Sequence, residues 1–129
     1  MRPLRAALLA MAVALPAAVA PAMAQEPPRV IVRPGLHEGF VRVAFNWPRR
    51  VPYTVERDGD TVDVRFSQPG RLDVAPLERR MPRGVEGVEL LPDGLRLRLR
   101  PGAEIRHALV GETLAFDILD DAPPRRARA

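Results

Sequence analysis

Three arginines, Arg96, Arg98 and Arg100, alternate with Leu95, Leu97 and Leu99 late in the chain. On an extended strand, side chains two apart share one face at a spacing of about 6.5–7 Å. Three guanidinium forks in such a line can grip carboxylates, phosphates or sugar hydroxyls through paired donors. Arg42 and Arg65 occupy polar positions in two earlier alternating runs and join this candidate contact set. The plainer use of the row is a solvated face whose arginines pair across strands with acids such as Glu89 or Asp117. Pairs of that kind each add a few tenths of a kcal/mol.

Other chemistries find little support. The only serine, Ser67, is followed by Gln68-Pro69 and lacks the glycine-flanked elbow of hydrolases. His37 and His107 have no spacing that ties them to Ser67 or to a metal, and both read as lone surface histidines. Asp58-Gly59-Asp60 lacks the alternate oxygen ligands of a calcium loop and reads as a hairpin turn. Glu86, Glu89 and Asp117 could supply paired carboxylates, but alternation puts them on exposed faces, where solvated charge is the default. There is no cysteine and no phosphate-cradling glycine loop. No nucleophile, base and orienter converge, so neither an enzyme nor a cofactor or metal is expected. Trp47, just before Pro48, reads as a sugar-stacking platform or as core, and its parity with Val43 and Phe45 favours core.

The elements that position these residues are strands. Apolar and polar residues alternate in Val41–Trp47, Val51–Glu56, Val62–Phe66, Leu95–Arg100 and Leu114–Ile118, the period-2 signature of half-buried strands. Less regular strands are expected at Val30–Arg33, Val85–Leu91 and Ile105–Val110. Asp58-Gly59 and Asp93-Gly94 mark turns between strands, and Pro34-Gly35, Pro101-Gly102 and Gly111 mark other corners. Residues 68–84 hold too many prolines and glycines for a strand. They read as a crossover between two sheets, with Asp73 capping one helical turn over Val74–Arg80 and with Leu72, Val74, Leu77 and Met81 closing one end. The expected fold is all-β: a small two-sheet sandwich of about seven or eight mostly antiparallel strands with one short helical crossover.

The N-terminus supplies an address. Arg2 and Arg5 precede the apolar run Ala6–Leu15, and Ala22-Met23-Ala24 forms a small-x-small end, the layout of a secretory signal peptide cleaved between Ala24 and Gln25. An uncleaved anchor over residues 6–24 competes with this reading, but Pro16 and Pro21 each remove a helix hydrogen bond. Without cysteine no lipoprotein anchor is possible, and no Arg-Arg pair marks the twin-arginine route. The expectation is general secretion to the periplasm, no membrane anchor after cleavage, a monomeric sandwich over residues 25–120 and a disordered Pro/Arg tail over 121–129. All 20 basic residues are arginine, yet residues 25–119 carry 15 Arg against 14 Asp plus Glu. That near-neutral body does not suit a nucleic-acid binder.

Gly39–Pro48, with Arg42-Val43-Ala44-Phe45-Asn46-Trp47 at its centre, Thr61–Phe66 before a proline-containing crossover, and Leu114–Ile118 as a closing strand together resemble an AMIN-type domain. The first of these phrases is also similar to the N-terminal region of large exported alphaproteobacterial proteins, some with tetratricopeptide repeats. The resemblance covers about residues 29–120. It implies a β-sandwich that binds peptidoglycan and positions an attached partner domain, and it implies no catalytic residue. The functional expectation is therefore a noncatalytic envelope-binding domain, with Arg96, Arg98 and Arg100, joined by Arg42 and Arg65, as its contacts. The alternative is an interaction module, the remnant of a longer protein, that contacts another envelope protein through an open sheet edge.

Overall fold

The structure is a computed structural model and describes residues 26–121. The signal-peptide reading, its Ala24/Gln25 cleavage site and the tail from residue 122 onward lie outside the described residues.

Alternation becomes two facing sheets. β1 (Arg29–His37), β2 (Phe40–Asn46), β5 (Arg71–Asp73), β8 (Ile105–Val110) and β9 (Thr113–Leu119) form a five-stranded sheet in the order β5-β1-β2-β9-β8. β3 (Tyr53–Asp58), β4 (Thr61–Phe66), β6 (Val85–Leu91) and β7 (Gly94–Leu99) form a four-stranded sheet in the order β3-β4-β7-β6. Every neighbouring pair is antiparallel except β1 with β5. The inward faces are those the alternation indicates: Val41, Val43 and Phe45 on β2, Val62 and Val64 on β4, Leu95, Leu97 and Leu99 on β7, and Leu114, Phe116 and Ile118 on β9 are all fully or almost fully buried. Apolar burial on this scale is what holds a cysteine-free domain together.

The turns follow glycine chemistry where backbone demands it. Gly59 (φ 64°) turns β3 into β4, and Gly111 (φ 63°) turns β8 into β9. Both lie in the left-handed region that only glycine enters without strain.

Four expectations change. Pro34-Gly35 is not a corner but lies inside β1, paired with Val43 and Arg42 of β2. Beyond Ile31, β1 has no partner on its other side, because β5 reaches only Arg29–Ile31. That free edge tolerates a proline, which has no N–H to donate. Residues 68–84 do leave the four-stranded sheet, but they first add β5 in parallel to β1 and only then form α1 (Ala75–Arg79). Asp73 is not the N-cap, which is Val74. The Asp73 carboxylate still accepts the Ala75 N–H at 3.1 Å, and Pro76 occupies the first turn. Leu77 is fully buried and pins α1 against the end of the sandwich, whereas Met81 is exposed.

Candidate functional site

The outer face of the four-stranded sheet carries three charged rows. Strand register aligns Thr54, Arg65, Gly94 and Leu91; then Glu56, Asp63, Arg96 and Glu89; then Asp58, Thr61, Arg98 and Gly87. Asp63 is the centre. Arg96 donates two hydrogen bonds to its carboxylate, at 2.7 and 3.0 Å, and Arg65 a third at 3.2 Å. Arg96 also approaches Glu89 at 3.7 Å, and Arg65 further meets Asp93 at 2.6 Å and Glu56 at 3.3 Å. The Arg96 hydrogen bond, opposed by burial and helped by the charges of Arg96 and Arg65, holds the Asp63 carboxyl below the usual carboxylate range.

The arginine row therefore divides. Arg96 is committed to Asp63. Arg100, beyond the end of β7, donates to the Leu119 carbonyl at 2.6 Å and meets Asp121 at 3.1 Å. Arg98 is different: its only hydrogen bond goes to the Glu86 carbonyl at 2.8 Å, and it meets no carboxylate among the described residues. Its guanidinium lies over Gly87, where an added Cβ would come within 2.7 Å of it. A β-bulge between Val85 and Gly87 shifts the register beside that spot. Arg98, Arg96, Thr61, Gly87, Val88 and Glu89 line a shallow crevice of about 350 Å³. Beside it, a wider groove of about 620 Å³ runs over Glu56, Asp58, Asp63 and Arg65.

Arg42 does not join this face. It sits on the outer side of the five-stranded sheet, opposite Asp117 of β9, and grips that carboxylate at 2.7 and 3.1 Å. Arg106 of β8 adds a third contact at 3.2 Å. Asp117 is only 3% exposed, which corrects its placement on a solvated face. β9 is interior to its sheet, and the long side chains of both neighbouring strands fold over it. Burial pushes the Asp117 carboxyl up, but the hydrogen bonds and charges of Arg42 and Arg106 outweigh it and hold it below the usual range. Both arginines also lie over the Phe40 ring, at 5.5 and 4.8 Å from its centre, and His37 stacks on the same ring.

The remaining candidates separate as well. Trp47 is 4% exposed, packs against Phe66 and leaves no room for a side chain at Gly70, so it belongs to the core. It also floors a cleft of about 300 Å³ with Phe66, Leu72, Leu90 and Leu91. His107 is exposed but not lone: its Nδ1 shares a 2.8 Å hydrogen bond with the Tyr53 hydroxyl, tying edge strand β8 to edge strand β3. Glu86 and Glu89 are exposed as expected, and Ser67 is bonded to neither histidine. Among the described residues no group of three or more His, Asp or Glu side chains is placed to hold a metal, and no helix is long and apolar enough to cross a membrane.

Sequence reasoning missed Asp63, Thr61 and Gly87. Their roles depend on β4 and β6 flanking β7, a pairing that no local pattern encodes; only the parity of Asp63 within Val62–Phe66 hinted at an outward acid. In comparisons with known proteins, no family model, no curated protein and no solved structure matches this chain.

Proposed function

We propose that the chain is a noncatalytic envelope-binding domain that holds peptidoglycan on the outer face of its four-stranded sheet. The observation that carries this reading is Arg98. It is an exposed guanidinium with no carboxylate partner, set beside Thr61 and Gly87 on a face whose other arginines are neutralised. Arg98 donates to ligand carboxylate or amide oxygens, Thr61 offers a hydroxyl, and Glu89, Asp58 and Glu56 offer acceptors to sugar hydroxyls and amide N–H groups. That mixture suits a glycan carrying short acidic peptides. The AMIN-type resemblance and the secretory layout of the first 24 residues support the same reading. No aromatic residue lies in the three outer rows, so sugars are held by hydrogen bonds rather than by stacking, and binding is weak and salt-sensitive.

The test is co-sedimentation of the purified full-length chain with insoluble peptidoglycan. The expected result is retention that falls as salt rises and is lost in Arg98→Ala. Absence of the chain from the pellet removes the wall-binding reading, and equal retention of both proteins removes Arg98 as its contact.

A second reading, an interaction module that receives a strand from another envelope protein, has one observation of its own. Leu90 of edge strand β6 faces the side of the core but is 53% exposed, because β5 opposite it spans only Arg71–Asp73. A partner strand added along β6 would cover it. Leu90→Asp then abolishes a crosslink to that partner and leaves sedimentation with peptidoglycan unchanged.

A further inference from the structure

A second charged feature lies at the free edge of β1, where Arg33 shares the outer side of the five-stranded sheet with Arg42. Arg33 of β1, Arg79 at the end of α1 and Arg80 just after it line one cleft of about 300 Å³, with Pro34 and Pro76 as its remaining walls. All the Asp and Glu side chains of the chain fall within the described residues. Eight other arginines, from Arg29 to Arg106, each meet a carboxylate. Arg33, Arg79 and Arg80 meet none, and none of the three donates a side-chain hydrogen bond within residues 26–121.

The neighbouring acids do not relieve this concentration of charge. Asp73, whose carboxyl feels the Arg79 charge, is already held by Arg29 and by the Ala75 N–H. Glu78 is exposed and does not line the cleft. A near-neutral domain thus gathers three like charges at one concave place while interspersing most of the rest with acids.

The walls are stiff. Proline locks φ at both Pro34 and Pro76, and buried Leu77 fixes α1 to the core. A cleft built this way loses little freedom when it is filled.

The number of forks indicates what fills it. A carboxylate has two oxygens and one charge, and in this chain two arginines suffice to satisfy Asp117 from outside its strand. Three guanidinium groups with no internal acid match a group with three peripheral oxygens and nearly two negative charges, which is a phosphate monoester. We infer that the Arg33–Arg79–Arg80 cleft is a binding site for a phosphoryl group, independent of the peptidoglycan face.

The phosphoryl group can come from a soluble phosphate ester or from a lipid headgroup, and the experiment separates them. The full-length chain, labelled at arginine, is titrated with inorganic phosphate at constant ionic strength while the arginine Nε–Hε signals are followed by NMR. In parallel it is floated with vesicles of phosphatidic acid or of phosphatidylcholine. The expected result is a saturable shift confined to Arg33, Arg79 and Arg80, weakened at least about tenfold in R33Q/R79Q/R80Q. Phosphate shifts without flotation identify a soluble ester as the source. Flotation with phosphatidic acid alone, lost in the triple variant, identifies a headgroup. Should the triple variant not fold, R79Q, at an exposed position, carries the same comparison. Chloride producing the same shifts, or shifts spread evenly over exposed arginines such as Arg49 and Arg71, overturns the inference, as does silence in both arms.

Discussion

Asp63 and Asp117 are the same device at two depths. Each sits on an interior strand of its sheet, points outward and is gripped by two arginines: Asp117 by Arg42 and Arg106 from its two flanking strands, Asp63 by Arg96 from one flanking strand and by Arg65 two residues along its own. The Asp63 side chain keeps 14% of its surface exposed and the Asp117 side chain 5%. The difference lies in what covers them. Two arginines that lie over the Phe40 ring close on Asp117, whereas the Asp63 face opens into a groove with exposed Glu56 and Asp58 at its margins. A buried ion pair costs much when one partner is removed, because the other charge is left without water or counter-charge. An exposed pair contributes little and leaves its face available for other partners. We therefore propose the four-stranded face as the working surface and treat the Arg42–Asp117–Arg106 cluster of the five-stranded face as structural.

The largest expected effect tests whether the working face draws its order from backbone rather than from ion pairs. A Cβ at Gly94 would overlap the Val64 carbonyl oxygen across the β4–β7 pair. Gly94→Ala should destabilise the fold by about 3 kcal/mol in urea unfolding, since only a backbone shift can relieve the clash. Wild-type stability in that variant breaks the idea that β4 and β7 approach so closely.

Next comes Arg42→Ala, which leaves Asp117 buried with Arg106 alone. A loss of about 2–3 kcal/mol is expected by the same measurement. The matching change on the other face, Arg96→Ala, should cost clearly less, because Asp63 retains Arg65 and reaches water. Equal losses would erase the contrast between the two faces.

Acid sharpens it further. Both aspartates titrate below the ordinary carboxylate value when folded, so between the folded and unfolded values the unfolded chain binds more protons. Their stabilisation is complete above about pH 5 and is lost as pH falls through 3.8 and below. Thermal melts from pH 6 to about pH 2 should show that decline, and Arg42→Ala should flatten it more than Arg96→Ala does. The smallest stability effect belongs to Gly87→Ala. The atom that its Cβ would meet is the mobile end of Arg98, so the melt should barely move while retention on peptidoglycan drops.

Most of the sandwich was legible because alternation is a local property. Val41-Arg42-Val43 and Leu95-Arg96-Leu97 declare their inner faces without reference to any other strand. Arg71-Leu72-Asp73 could not declare itself: three residues carry no period, and its partner β1 lies some forty positions upstream. Pro34-Gly35 looked like a corner because nothing local reveals that β1 has a free edge at that point. The candidate site was half legible for the same reason. Outward parity identified the arginines, but their partners depend on β9 lying beside β2 and β4 beside β7. Only those non-local neighbours distinguish Arg42 and Arg96, which are spoken for, from Arg98, which is not.

The most direct measurement is retention on peptidoglycan of Arg98→Gln and Arg96→Gln at equal protein concentration and low salt, with both melts recorded. Arg98→Gln should lose retention at an unchanged melting temperature, while Arg96→Gln should lower the melt and keep most of its retention. Retention that does not distinguish the two variants would contradict the assignment of the four-stranded face as a binding surface led by its one uncommitted arginine.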